Sequence, residues 1–151
     1  MNVRFNVIGV PAPQGSKTRM PNGALVEGSS ATGRAKHRTW RQAVAHEAHQ
    51  QRQLLEHCFS GPLVVDVVFR FPMPASRPAA FKRRVAEGEI TGWKVTKPDL
   101  DKLARSVLDS LAEGGLIGGT GDALVAQLLA SKIEVPAGEW TGATITVQEL
   151  S

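Results

Sequence analysis

The chain holds a single cysteine, Cys58, so an intrachain disulfide is excluded and a reducing compartment is permitted. No apolar run approaches membrane-spanning length, and the first residues lack the pattern of a secretory signal. These absences predict a soluble, cytoplasmic protein with no membrane partner. No internal repeat or linker-like stretch divides the 151 residues, and a hydrophobic content of 42% suffices for one core; a single domain over residues 1–151 is expected. Acids are scarce at the front. Residues 1–97 carry 15 Lys/Arg against 6 Asp/Glu, whereas residues 98–151 carry 3 against 8, a division that the net charge of +4 conceals. A basic front favours polyanions through counterion release, and an acidic pocket inside such a field still recruits a divalent cation. A merely solvated basic surface has the same composition, so charge alone does not decide between them.

Two familiar motifs are also missing. Val3 to Val10 alternates like a first strand and ends at Pro11-Ala12-Pro13; Gln14-Gly15-Ser16-Lys17-Thr18-Arg19 follows it with groups suited to a phosphate. Lys17 does not directly follow Gly15, however, and no apolar helix begins there, which excludes a P-loop and a nucleotide cofactor. His46-Glu47-Ala48-His49-Gln50 misses the zincin pattern, because the second histidine would have to stand at position 50. His46, His49, His57 and Cys58 lack a second ligand pair at zinc-site spacing, and solvated helix histidines are the better reading.

What is present centres on Asp99-Leu100-Asp101. From Asp99 onward Leu100, Leu103, Ala104, Val107, Leu108 and Leu111 recur at offsets of three and four, the buried stripe of an amphipathic helix. Pro98 blocks backward extension, Asp99 is a preferred N-cap type and Gly114-Gly115 supply the stop. Both acids therefore sit at the opening turn, where a cap residue and its neighbour can aim at one hard divalent cation. Arg105 lies four residues past Asp101, on the same face. A later acid, Asp122, is a third candidate. The bland alternative makes Asp99 a cap only, Asp101 a dipole-favoured acid, and Arg105 a surface partner of Asp101 and Asp109.

Elsewhere, residues 14–38 read as irregular and Thr39 to about His57 as a helix, through Trp40, Val44, Ala48, Gln51 and Leu55. Pro62 to Phe71 is a β-branched run expected to form a well-buried strand. Residues 72–97 are expected to form a long loop with one helical turn at Ala79 to Ala86; it interleaves Lys82-Arg83-Arg84, Lys94 and Lys97 with Phe81 and Trp93. That mixture suits DNA backbone neutralisation plus base stacking or wedging. Leu124 to Val135 and Thr141 to Leu150 read as two further strands joined as a hairpin. The expected fold is α+β, a single two-layer domain with a mixed sheet of about four strands and two main helices.

Lys97-Pro98-Asp99-Leu100-Asp101-Lys102-Leu103 with Arg105, then Leu108-Asp109-Ser110-Leu111, Gly115-Leu116-Ile117 and Asp122-Ala123-Leu124-Val125 ending in Lys132, resembles the RusA family of Holliday junction resolvases, common in phages and prophages. Pro11-Ala12-Pro13-Gln14-Gly15-Ser16-Lys17 is similar to the opening of phage-borne members. The resemblance covers most of the chain. It implies a homodimeric endodeoxyribonuclease of a bacterial host's cytoplasm that acts in DNA recombination and repair. Such an enzyme uses magnesium, with manganese able to substitute, to nick four-way or other branched DNA symmetrically and leave 5′-phosphate ends.

By the same resemblance Asp99, Asp101 and Asp122 match the family's three catalytic, metal-binding acids, and Arg105 falls where an essential lysine is common. Arginine keeps its charge and clamps phosphate bidentately but is a poor proton donor, so Arg105 is expected to act electrostatically. Lys102 stands where the family often has Asn, and Gly121 and Leu124 where it often has an acid and Gln. Lys17, Arg19, Lys82, Arg83, Arg84, Lys94, Lys97 and Lys102 are the candidates for gripping DNA. Two alternatives stand beside resolution of junctions: a non-catalytic DNA-binding accessory with the same fold, and a nuclease for other branched DNA.

Overall fold

A computed structural model of the protein describes residues 1–15, 17–19, 21–22, 25–27 and 31–151, with 17–19 and 25–27 as backbone only. The strand β4 (Leu63–Pro72) organises it: Leu63, Val65, Val67, Phe69 and Phe71 are buried in alternation while Asp66 is exposed, the period-two signature of one face turned to a core. Beside β4 run β5 (Val125–Val135), in parallel, and β6 (Gly142–Glu149), antiparallel; β1 (Asn2–Ile8) completes the sheet antiparallel to β6. The order β1-β6-β4-β5 makes one mixed four-stranded sheet.

The expected β5–β6 hairpin does not form. β6 carries fully buried Ala143, Ile145 and Val147 and takes the interior place between β1 and β4, which leaves β5 at the edge. The residues 136–141 between them therefore cross β4 instead of turning back.

Two long helices cover the inner face. The helix α1 (Ala31–Gln53) begins eight residues before the expected start at Thr39. His37, Trp40, Val44 and Ala48 are buried at offsets of three and four, so the inward stripe reaches back through a stretch whose polar composition reads as loop. Two short strands, β2 (Lys17–Arg19) and β3 (Leu25–Glu27), pair antiparallel in that same region. The irregular reading of 14–38 is thus corrected on both counts. The helix α3 (Leu100–Glu113) packs against α1, and Leu103, Ala104, Ser106, Val107, Ser110 and Leu111 are buried. At its end Gly114 lies so close to α1 that a Cβ there would stand 2.6 Å from the Ala45 carbonyl oxygen. A third, short helix, α2 (Ala79–Ala86), occupies the span where one helical turn is expected.

The architecture is α+β, two layers, with a mixed four-stranded sheet and three helices. Among the described residues no helix is long and apolar enough to cross a membrane.

The loop of residues 72–97 is tied to the outer edge of β5. Arg77 donates two hydrogen bonds of 2.9 Å to the Glu134 carboxylate, whose side chain is 1% exposed. Trp93 bridges antiparallel to Ile133, the Glu134 amide donates to the Gly92 carbonyl, and the Lys94 amide donates to the Lys132 carbonyl. Burying a carboxylate is costly unless a hydrogen-bonded cation meets it, so Glu134 fixes where Arg77 and the loop begin.

Candidate active site

Asp99 occupies the N-cap of α3 with extended backbone, and its carbonyl accepts the first helical hydrogen bond from the Leu103 amide at 3.1 Å. Its side chain makes no capping bond. An N-cap aspartate ordinarily satisfies a first-turn amide with its carboxylate; here that carboxylate is 51% exposed, with the Lys102 ammonium 3.9 Å away. Asp101, in the first helical turn, is also exposed and makes no ion pair among the described residues. Both acids sit where the helix dipole favours negative charge. Asp101 offers oxygens of the kind hard dications prefer, and Asp99 is engaged, among the described residues, only by Lys102 at 3.9 Å; magnesium in particular is held by one or two carboxylates plus water and substrate phosphate.

Arg105 follows one turn later, exposed, and forms no ion pair with Asp101 or Asp109. Of the bland reading, the side-chain cap and the two surface ion pairs are not formed among the described residues, while Asp101 does stand in the dipole-favoured first turn.

Asp122 lies in a short 3₁₀ turn, Gly121–Leu124, packed on the far part of α3. A Cβ on Gly121 would meet the Ala112 Cβ at 3.6 Å, which puts the neighbouring carboxylate beside Asp109. Burial pushes the Asp109 carboxyl above its ordinary value; Arg41 opposes this, Asp122 and Glu113 add to it, and Arg105 opposes it again. Arg41 in turn pairs with Glu113, joining α1 to α3. Ten residues of helix rise, about 15 Å, separate Asp109 from Asp99. Asp122 does not join the acid pair within the chain: among the described residues no three His, Cys, Asp or Glu side chains stand together as a metal-holding set. The same holds for His46, His49, His57 and Cys58, of which His46 and His49 are exposed on α1.

The basic candidates differ in their freedom. Arg83 and Lys97 are exposed and unpaired among the described residues. Lys82 donates to the Ala75 carbonyl at 2.7 Å and Arg84 pairs with Glu89 at 3.2 Å, so these two brace α2 as well as charging it. Lys94 donates to the Thr96 hydroxyl and lies 5.0 Å from the Phe71 ring centroid. Trp93 is 60% exposed. The side chains of Lys17 and Arg19 lie outside the described residues.

Three residues near the site escape a reading by periodicity. His37 is buried with its Nε2 3.0 Å from the Ser106 hydroxyl. Asp109 carries its signal only as the i+4 neighbour of Arg105. Lys132, on β5, donates from Nζ to the carbonyls of Thr96 at 2.6 Å and Pro98 at 2.7 Å, across a sequence separation that local pattern cannot bridge.

The site is thus a pair of exposed carboxylates at a helix opening, with exposed Lys97 just before them, on an α+β domain. The chain belongs to the RusA family: the model described as endodeoxyribonuclease RusA matches residues 11–148. It is similar to the uncharacterized protein YqaN of Bacillus subtilis (strain 168), 32% identical over 110 residues that span 72% of this chain and 73% of that protein.

Proposed function

We propose that the protein is a magnesium-dependent, structure-selective endodeoxyribonuclease that resolves four-way DNA junctions by paired symmetric nicks. The observation that carries this is Asp99: a cap residue whose carboxylate is not used for capping leaves two adjacent acids open to solvent at a helix start. A dication held by Asp99 and Asp101 would supply a polarised water and offset charge growing on the phosphate. Arg105, on the same helix face, holds a phosphoryl oxygen. Lys97, Arg83 and the other loop cations take neighbouring phosphates, and Trp93 offers a ring on which an unstacked base can lie.

A homodimer is part of the proposal, and the free half of β5 supports it. Among the described residues the loop pairs with the outer edge of β5 at Lys132 to Glu134, while Leu128 and Leu129, on opposite faces, are 43% and 46% exposed. An apolar strand edge without charges or proline invites pairing with another strand. Antiparallel pairing of residues 126–131 with a second copy would be isologous. It would carry the start of one β5, next to Asp122, toward the other copy's Lys132 end, next to Asp99. Two chains would then assemble the three acids that one chain keeps apart.

The test is cleavage of a synthetic four-way junction with magnesium, beside flaps, forks and linear duplex. The proposal expects symmetric nicks giving 5′-phosphate ends, none in chelator, and junction binding without cutting for Asp101→Asn. Magnesium-indifferent binding with no cleavage would make the protein a DNA-binding accessory. Equal cutting of flaps and junctions would make it a general branched-DNA nuclease.

A further inference from the structure

We infer that Lys132 is a positioning residue for the acid pair: its ammonium holds the main chain immediately before Asp99, and so sets where Asp99 and Asp101 stand. This rests on the nuclease reading above. Residues 94–99 have no helix or ladder of their own, so the carbonyls of Thr96 and Pro98 have no regular backbone partner. Lys132 supplies one to both, at 2.6 and 2.7 Å, short distances typical of charge-assisted hydrogen bonds.

The remaining contacts close the grip. The Lys132 carbonyl accepts from the Lys94 amide at 3.0 Å, and the Lys94 ammonium donates to the Thr96 hydroxyl at 3.0 Å. The segment thus wraps one residue. Lys132 itself stands on a rigid base, in register with Phe69 of the central strand, whose side chain is fully buried. A site held on a strand is more precise than one held on a loop; here the strand lends its precision to a loop through one cation. With two of its three N–H groups given to carbonyls, the ammonium acts on DNA chemistry through the acids and not by contact.

The experiment compares full-length wild type, Lys132→Met and Lys132→Arg. The methionine keeps most of the apolar stem of this half-buried side chain and removes the donors. For Lys132→Met the expected result is junction affinity in chelator within about twofold of wild type, since Lys97, Arg83 and the other cations remain. Cleavage at saturating DNA falls on the order of 100-fold. The half-saturating magnesium concentration rises about tenfold, as when an outer partner of a metal ligand is removed. Lys132→Arg, with donors restored on a longer fork, recovers most of the rate.

Hydrogen exchange supplies a readout independent of activity: the Lys94 and Leu103 amides, which donate to the carbonyls of Lys132 and Asp99 at the two ends of the held segment, should exchange faster in Lys132→Met while those of β4 and β6 do not. Wild-type rate and magnesium dependence in Lys132→Met, with unchanged exchange, overturn the proposal. So does a uniform loss of protection across the whole sheet, which marks Lys132 as a general stabiliser. If Lys132→Met does not fold, Lys132→Gln replaces it, with two uncharged N–H donors on a shorter stem and an intermediate loss expected. If wild type itself cuts no branched DNA, the nuclease reading fails. The exchange comparison then still decides whether Lys132 positions the segment.

Discussion

Replacing Asp101 by asparagine separates what that carboxylate does for folding from what it does for DNA. Asp101 is exposed and unpaired among the described residues, at the first turn of α3, so the folded protein loses its interaction with the helix dipole, about 0.3–1 kcal/mol. For a chain of this size that lowers Tm by about 1–3 °C. Toward DNA the sign reverses. A carboxylate about 4 Å from a phosphate in water repels it by about 1 kcal/mol, so in chelator Asp101→Asn should bind a four-way junction about fivefold more tightly than wild type.

Magnesium should erase that gain, because in wild type a bound dication turns the repulsion into attraction. Cleavage should fall on the order of 1000-fold, the equivalent of about 4 kcal/mol of lost transition-state stabilisation. The assay is electrophoretic mobility of labelled junction in chelator and in calcium, with nicking in magnesium followed on denaturing gels. Tighter binding that persists in calcium, or cleavage at the wild-type rate, refutes the assignment. A Tm loss above about 5 °C would show that Asp101 has a structural partner.

Three further outcomes follow from particular contacts. Asp99→Ala should cost less than the ~1 kcal/mol usual for loss of an N-cap side chain, since no capping bond exists to lose; cleavage should vanish in the same protein, and chemical denaturation beside a nicking assay checks both. Asp109 has a folded-state pKa raised mainly by burial, so the folded chain binds more protons than the unfolded one. Its contribution to stability is present below the unfolded carboxylate value near about 4 and is lost as pH rises through the folded value. Denaturation of the metal-free protein should therefore show Asp109→Asn gaining on wild type as pH increases, and a constant difference would contradict the burial of that carboxyl. Leu128→Asp, which places a charge on the free β5 edge, should shift the protein to monomer in sedimentation and abolish magnesium-dependent cutting while α-helical circular dichroism is kept; a dimer that persists moves the seam elsewhere.

Legibility in the sequence tracked the distance over which each signal acts. The stripe Leu103, Val107, Leu111 is written at offsets of four residues, and α3 was readable to within a residue at both ends for that reason. The span of α2 was legible only as one helical turn, and β4 only as a buried β-branched run, because its one-sided alternation depends on which face the helices cover. The start of α1 was hidden, because His37 is polar and becomes an inward residue only when Ser106, far along the chain, stands opposite it. The hairpin reading of β5 and β6 failed through a non-local competition: β4 offered β6 a longer buried face than β5 could.

Taken by itself, the order of residues determined that two acids would open an amphipathic helix beside proline and behind a basic, aromatic loop, since caps, breakers and periodicity act within a turn or two of chain. Tertiary structure alone decided that Asp99 would leave its cap unmade, that Asp122 would settle beside Asp109, that Lys132 would hold the carbonyls of Thr96 and Pro98, and that half of β5 would face outward. Each of these depends on which strand or helix lies next to which, and that is settled by burying the whole core at once.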